Sequence, residues 1–110
     1  MMRELTLATL AATVESNATV IVDFWAPWCT TCLRFSPIFT DVAQQFDDVV
    51  FATVNTDEEQ ELAGIMGVRS LPTLVGFRNG KHVFAKSGLT TRRQLGEIID
   101  EIRTLTPEQE

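Results

Sequence analysis

No apolar run in this 110-residue chain approaches the roughly 18 residues that a membrane-spanning helix needs. A helical membrane protein is therefore excluded. Basic residues are scarce: nine Lys and Arg stand against fifteen Asp and Glu, for a net charge of −6. Only Arg92 and Arg93 are adjacent. Nucleic-acid binding needs clustered cations to neutralise phosphates, so that class is excluded too, and the acidity reads as a solubility feature. There is one histidine, His82, next to the Asn79-Gly80 pair. No motif joins it to a thiol, which removes a Cys–His catalytic pairing and leaves a strand-surface residue. The first 14 residues hold one basic residue, an acid beside it and no uninterrupted apolar core, unlike a secretory signal. A cytoplasmic protein is the expectation. Linkers, repeats and low-complexity tracts are absent, so the reading is one domain spanning 1–110.

Cysteine is nearly absent as well. The two that exist, Cys29 and Cys32, lie three positions apart. One pair cannot form the disulfide framework of a small secreted domain, and a structural disulfide is unusual in the cytosol. Two thiols placed this way do chemistry or bind metal. Two thiolates are half of a structural zinc site, and no nearby Cys or His completes it.

The 45 % of apolar residues fall into local patterns. Leu7, Leu10, Ala11 and Val14 have helical spacing, which predicts a helix over 6–15 capped by Thr6. A short edge strand over 3–5 precedes it. Residues 19–24 are β-branched and apolar and read as a buried strand. Phe35, Ile38, Phe39, Val42, Ala43 and Phe46 mark one face of a longer helix, with both cysteines in its first turn. Pro37 lies inside it and predicts a kink. Residues 49–54 form a second buried strand. Asp57-Glu58-Glu59-Gln60 resembles a helix start with Asp57 as cap; a cation site is the alternative for these acids. Leu62, Ile65 and Met66 give that short helix its buried face, and Gly67 ends it. Residues 73–77 and 82–87 are strands joined through Asn79-Gly80, the preferred pair for a tight hairpin. Leu95, Ile98, Ile99 and Ile102 form a last helix, stopped by Pro107, with a frayed tail. The order βαβαβαββα predicts an α/β fold, a mixed sheet with helices on both faces.

Cys-x-x-Cys on the first turn of a helix, directly after a buried strand, has an electrostatic rationale. The unpaired N–H groups of a helix N-terminus carry partial positive charge and stabilise a thiolate. The thiolate is the nucleophile of disulfide exchange. Cys29 at the tip is the accessible attacking thiol, and Cys32, one turn further in, is the resolving thiol. Asp23, flanked by apolar residues, should be desolvated and its pKa raised into a useful range. Trp25 reads as core, Trp28 as a surface residue beside the thiol.

These residues resemble the thioredoxin family. The likeness rests on V-D-F-W-A-P-W-C-T-T-C at 22–32, Pro37, N-T-D at 55–57, G-V-R-S-L-P-T at 67–73, F-R-N-G at 77–80 and Gly88, in that order over nearly the whole chain. The resemblance implies a thioredoxin fold with a five-stranded sheet. It also implies a dithiol–disulfide oxidoreductase in which Cys29 and Cys32 are the redox pair and Asp23 moves a proton to or from Cys32. Pro72 matches the family's cis-proline, and Trp28, Thr30, Thr31, Leu71, Pro72 and Gly88 would line a shallow substrate groove. The Leu71 backbone would be free to pair with an extended peptide. The implied partners are protein disulfides and a separate reductase of the thioredoxin-reductase type. No cofactor beyond the Cys29–Cys32 couple is implied, and a monomer is expected.

Three departures from the family pattern stand out. Thr30-Thr31 replaces the usual Gly-Pro, and either hydroxyl could bond the Cys29 thiolate. A couple less reducing than about −270 mV is the expectation. Thr53 stands where a lysine is common, which removes a cation near Asp23. Leu33 stands where a basic residue often follows the second cysteine. The competing readings are an interaction module built on the groove around Pro72, or two chains sharing a metal, with redox turnover secondary in each.

Overall fold

A computed structural model describes residues 2–105. Pro107 and the tail lie outside the described residues. Five strands form one mixed sheet in the order β1-β3-β2-β4-β5. The strands are β1 (Arg3–Glu4), β2 (Thr19–Trp25), β3 (Val50–Asn55), β4 (Thr73–Arg78) and β5 (Lys81–Ser87). β1 and β3 run parallel to their neighbours β3 and β2, while β4 is antiparallel to both β2 and β5. The helices are α1 (Leu7–Ser16), α2 (Thr30–Ala43), α3 (Gln60–Ile65) and α4 (Arg92–Arg103).

β2 is central because its sequence suits burial on both faces: Val20, Ile21, Val22 and Phe24 have no solvent exposure. Alternation along the strand then sorts its side chains. Val20, Val22 and Phe24 pack with Leu10 and Val14 of α1 and Leu62 of α3. Ile21 packs on the opposite face with Phe35, Phe39 and Val42 of α2 and Leu95, Ile99 and Ile102 of α4. Asp23 shares the parity of Ile21, so the pleat aims it at α2. On that face Phe39 meets Phe51 edge-on, with ring centroids 5.4 Å apart, the arrangement that aromatic quadrupoles favour. Gly76 on β4 allows α4 its close approach. A Cβ there would stand 2.7 Å from the Ile102 side chain and 3.3 Å from Phe84.

Local chemistry fixes the element ends. Thr6 caps α1, and its N–H donates to Thr9 Oγ1 at 2.9 Å. Thr91 caps α4 reciprocally: its Oγ1 accepts from the Gln94 N–H at 3.1 Å, and Gln94 Oε1 accepts from the Thr91 N–H. The β4–β5 turn places Asn79 at φ 52° and Gly80 at φ 87°, as a two-residue turn of this hand requires. Gly67, at φ 71°, follows α3 as expected. α2 continues through Pro37 for 14 residues. The ring removes the donor that would reach the carbonyl of Leu33.

One boundary differs from the sequence expectation. α3 begins at Gln60 with Glu59 as its cap residue, not at a cap on Asp57. The Asp57 carboxylate is occupied elsewhere, by Trp28. The edge strand β5 is exposed along most of its length. His82 lies on it as expected, its ring against Phe77.

Candidate active site

β2 ends at Trp25, and a tight turn follows in which the Cys29 N–H reaches the carbonyl of Ala26 at 3.1 Å. Cys29 is thereby the N-cap of α2. Its Sγ takes the capping position usually held by a side-chain oxygen and accepts the Cys32 N–H at 3.1 Å. That N–H is one of the helix's orphan donors. Negative charge on this sulfur is therefore met by a hydrogen bond and by the helix dipole together. Cys32 is one turn on. The two Cα atoms are 5.2 Å apart and the sulfurs are joined as a disulfide, a separation within the range that a disulfide spans.

Burial follows the expected order but is more severe at the tip. Cys32 is 2 % exposed and Cys29 only 8 %. Ala26 is buried beside the sulfurs, and Trp25 and Leu71 pack against this cluster. The neighbouring threonines lie toward solvent. Thr30 is exposed and Thr31 half-buried, and among the described residues no hydroxyl hydrogen bond reaches Cys29 Sγ. In this oxidised state the donor to that sulfur is the Cys32 backbone.

The loop before β4 packs on the cysteines through Leu71, and the end of β5 is tied to that loop. The Leu71–Pro72 bond is cis, and Leu71 packs against the cysteine pair. Gly88, at φ 93°, donates its N–H to the carbonyl of Pro72 at 2.8 Å, which ties the end of β5 to the start of β4. No hydrogen bond among the described residues engages the Leu71 backbone. Trp28 is 69 % exposed, yet it is not loose. Its indole N–H donates to Asp57 Oδ1 at 3.1 Å, and the Asp57 N–H is itself held by Asn55 Oδ1 at 2.9 Å. Thr56 bonds the carbonyl of Trp25 through both its N–H, at 2.8 Å, and its hydroxyl, at 3.1 Å. The N-T-D segment is thus the brace of the Trp25–Cys29 turn. Trp25 and Asn55 are register partners on adjacent parallel strands, which brings this segment beside the turn.

Asp23 is 3 % exposed. Burial, which disfavours its charged form, pushes its pKa up from 3.8 to about 7. Its Oδ1 has no hydrogen-bond partner. Its strand neighbours are Thr53 on β3 and Leu74 on β4, so neither neighbouring strand offers a cation at that level. Between Asp23 and α2 lies a cavity of about 120 Å³ lined by Asp23, Trp25, Cys32, Leu33, Ser36 and Thr53. Ser36 was not singled out in the sequence. Among the described residues no group of three or more His, Cys, Asp or Glu could hold a metal ion.

This arrangement is a dithiol set for exchange: a capped sulfur near the surface, a buried partner, and a carboxyl group poised to change its protonation near neutral pH. The thioredoxin sequence profile matches residues 1–101. A putative thioredoxin 2 from Streptomyces coelicolor is 38 % identical over 102 residues, covering 93 % of this chain and 76 % of that one. Thioredoxin 1 from Synechococcus elongatus is 41 % identical over 88 residues, 79 % of this chain and 82 % of its own. A mutant thioredoxin from Halobacterium salinarum NRC-1 superposes with a TM-score of 0.88 at 33 % identity, over 96 % of this chain and 93 % of that structure. The fold, the cysteine pair at disulfide distance and these likenesses agree, and the chain belongs to the thioredoxin family of dithiol–disulfide oxidoreductases.

Proposed function

We propose that this protein reduces disulfides in other proteins, with Cys29 as nucleophile, Cys32 as resolving thiol and Asp23 as the proton acceptor for Cys32. The Cys29 thiolate attacks one sulfur of the target; a mixed disulfide forms and the target's other sulfur leaves as a thiolate. Cys32 gives its proton to Asp23 and attacks Cys29 Sγ. The Cys29–Cys32 bond forms, the bond to the target breaks, and the target has gained two electrons and become a dithiol. The observation that carries this reading is the placement of Cys29 Sγ on the Cys32 N–H at the start of α2.

The target lies as an extended strand in the groove of Trp28, Leu71, Pro72 and Gly88, bonded to the N–H and C=O of Leu71, with Thr30 and Thr31 at the rim. The electrons reside in the dithiol, so no further cofactor is needed. A separate thioredoxin-reductase-type protein returns them. The protein acts as a monomeric single domain in the cytoplasm, in electron transport and cell redox homeostasis. Reduction of insulin with dithiothreitol as electron source tests the reading. The expected result is turbidity that appears well ahead of the dithiothreitol control and needs both cysteines. No acceleration over that control would reject it.

The Trp28–Asp57 bond gives a second test. Asp57→Ala frees the indole, and the loss of one such hydrogen bond is worth about 1 kcal/mol. KM for insulin is expected to rise about fivefold with kcat little changed, and Trp28 fluorescence anisotropy to fall. An unchanged KM with a mobile Trp28 would remove Trp28 from the binding surface.

A further inference from the structure

The acids that follow β3 are engaged by different parts of the chain. Asp57 takes the Trp28 indole N–H at 3.1 Å. Glu59 is the cap residue of α3, yet its side chain makes no capping bond to that helix. Its Oε1 instead accepts the Leu7 N–H at 2.9 Å, 52 positions away. Topology explains the meeting. β1 and β3 are parallel, with Glu4 opposite Thr53, and the Leu5 N–H continues the pairing onto the Thr53 carbonyl at 2.8 Å. Both segments therefore leave the sheet at the same end, one into α1 and the other into the turn over 55–59. Leu7 is the first residue of α1, so its N–H is one of that helix's orphan donors. The first turn of α1 holds no acid of its own. The helix dipole favours a carboxylate there, and Glu59 supplies it from the other segment.

The 55–59 turn is closed on itself. The Asn55 carbonyl accepts the Glu58 N–H at 3.1 Å and the Glu59 N–H at 2.9 Å, and Asn55 Oδ1 accepts the Asp57 N–H at 2.9 Å. Thr56 pins one end of this unit to the Trp25 carbonyl. Glu59 pins the other end to α1. Asp57, which holds Trp28, lies between the two pins. We propose that Glu59 is a positioning residue for target binding: by fastening the turn to the start of α1 it holds Asp57, and through Asp57 the Trp28 indole, in the orientation that the groove requires. The inference rests on the place given above to Trp28 in the groove. Glu59 itself touches neither the cysteines nor the target, so its effect falls on binding and not on the exchange of sulfur bonds.

Glu59→Ala should raise KM for insulin about threefold and leave kcat little changed, a smaller effect than the roughly fivefold of Asp57→Ala because Glu59 acts at one remove. The heteronuclear Overhauser effect of the Trp28 indole N–H, resolved from that of Trp25, should fall. Glu59→Gln keeps an acceptor oxygen and should restore both. Ala8→Glu in the Glu59→Ala background separates positioning from stability alone. Ala8 is exposed in the first turn of α1, so an acid there returns the dipole interaction to that helix without holding the turn. In this double variant the denaturant midpoint should recover while KM stays raised and the indole stays mobile. Recovery of KM together with the midpoint would show that Glu59 acts only through the stability of α1, and would overturn the proposal. An unchanged KM and a rigid indole in Glu59→Ala would overturn it as well. Asp57→Ala in the same assays distinguishes the failures. If it raises KM and Glu59→Ala does not, the anchor alone is wrong. If neither raises KM although each frees the indole, Trp28 leaves the binding surface and the role of Glu59 falls with it.

Discussion

Cys29→Ser is expected to lower insulin reduction to the dithiothreitol baseline, and Cys32→Ser to convert the protein into a trap that stays covalently joined to its target. The two variants remove different steps. A serine at 29 leaves the N-cap intact, because its oxygen also accepts the amide of residue 32, so the fold should survive. What disappears is the soft anion that attacks sulfur. A serine at 32 leaves the attacking thiol and its helix-end environment in place and removes only the group that expels the product. Its signature is a non-reducing band at the combined mass of protein and target, released by dithiothreitol. The electrostatic premise has its own measurement. An ordinary thiol with a pKa near 8.5 is only a few per cent ionised at pH 7, whereas one near 7 is half ionised. Iodoacetamide should therefore modify Cys29 of the reduced protein about tenfold faster than a free cysteine at pH 7. Modification at the rate of a free cysteine would show that the N-cap position does not activate the sulfur.

Where structure follows from short-range rules, the sequence was legible. The buried run of β2, the helical face of α2 as far as Ala43 and the Asn79-Gly80 turn each depend on residues within a few positions and stand as read, while Phe46 falls beyond the end of α2. Asp23 was legible for the same reason. An acid inside Val20–Trp25 has nowhere to go but the interior, whichever face it takes. The start of α3 was not. Asp57 has the composition of a cap, but its carboxylate is claimed by Trp28, 29 positions away in the chain, and no local rule contains that contact. The exposure of Cys29 failed in a similar way. A helix tip is open in isolation, and here Leu71 arrives from a loop more than 40 positions further along to pack against it. The bond that the Cys32 amide makes to Cys29 Sγ in the disulfide state was likewise not read from the sequence. Ser36 was not singled out because its place is spatial: it lines a cavity with Asp23 that β2, β3 and α2 enclose.

Asp23→Asn should make the oxidised protein more stable at pH 8 to 9 and leave it little changed at pH 4. The sign follows from proton counts. The native carboxyl has a pKa of about 7, against 3.8 for the ordinary group. Between those values the folded chain holds a proton there that the unfolded chain has released. Stability therefore falls as pH rises from 3.8 to about 7 and levels off above, where both states are ionised. A shift of about three units corresponds to roughly 4 kcal/mol at 1.36 kcal/mol per unit. Asn is nearly isosteric with the protonated acid and stays neutral throughout, so its variant should lack this slope. Other titrating groups cancel when the two proteins are compared at each pH. Denaturant midpoints for both proteins across pH 4 to 9, with the disulfide intact, measure the difference directly. Parallel curves would mean that Asp23 is solvated in the native state and that its carboxyl titrates as an ordinary acid. The diverging curves expected here would show a group kept at a cost of several kcal/mol in its ionised form. Such a cost is what a carboxyl proposed to take the Cys32 proton near neutral pH would carry.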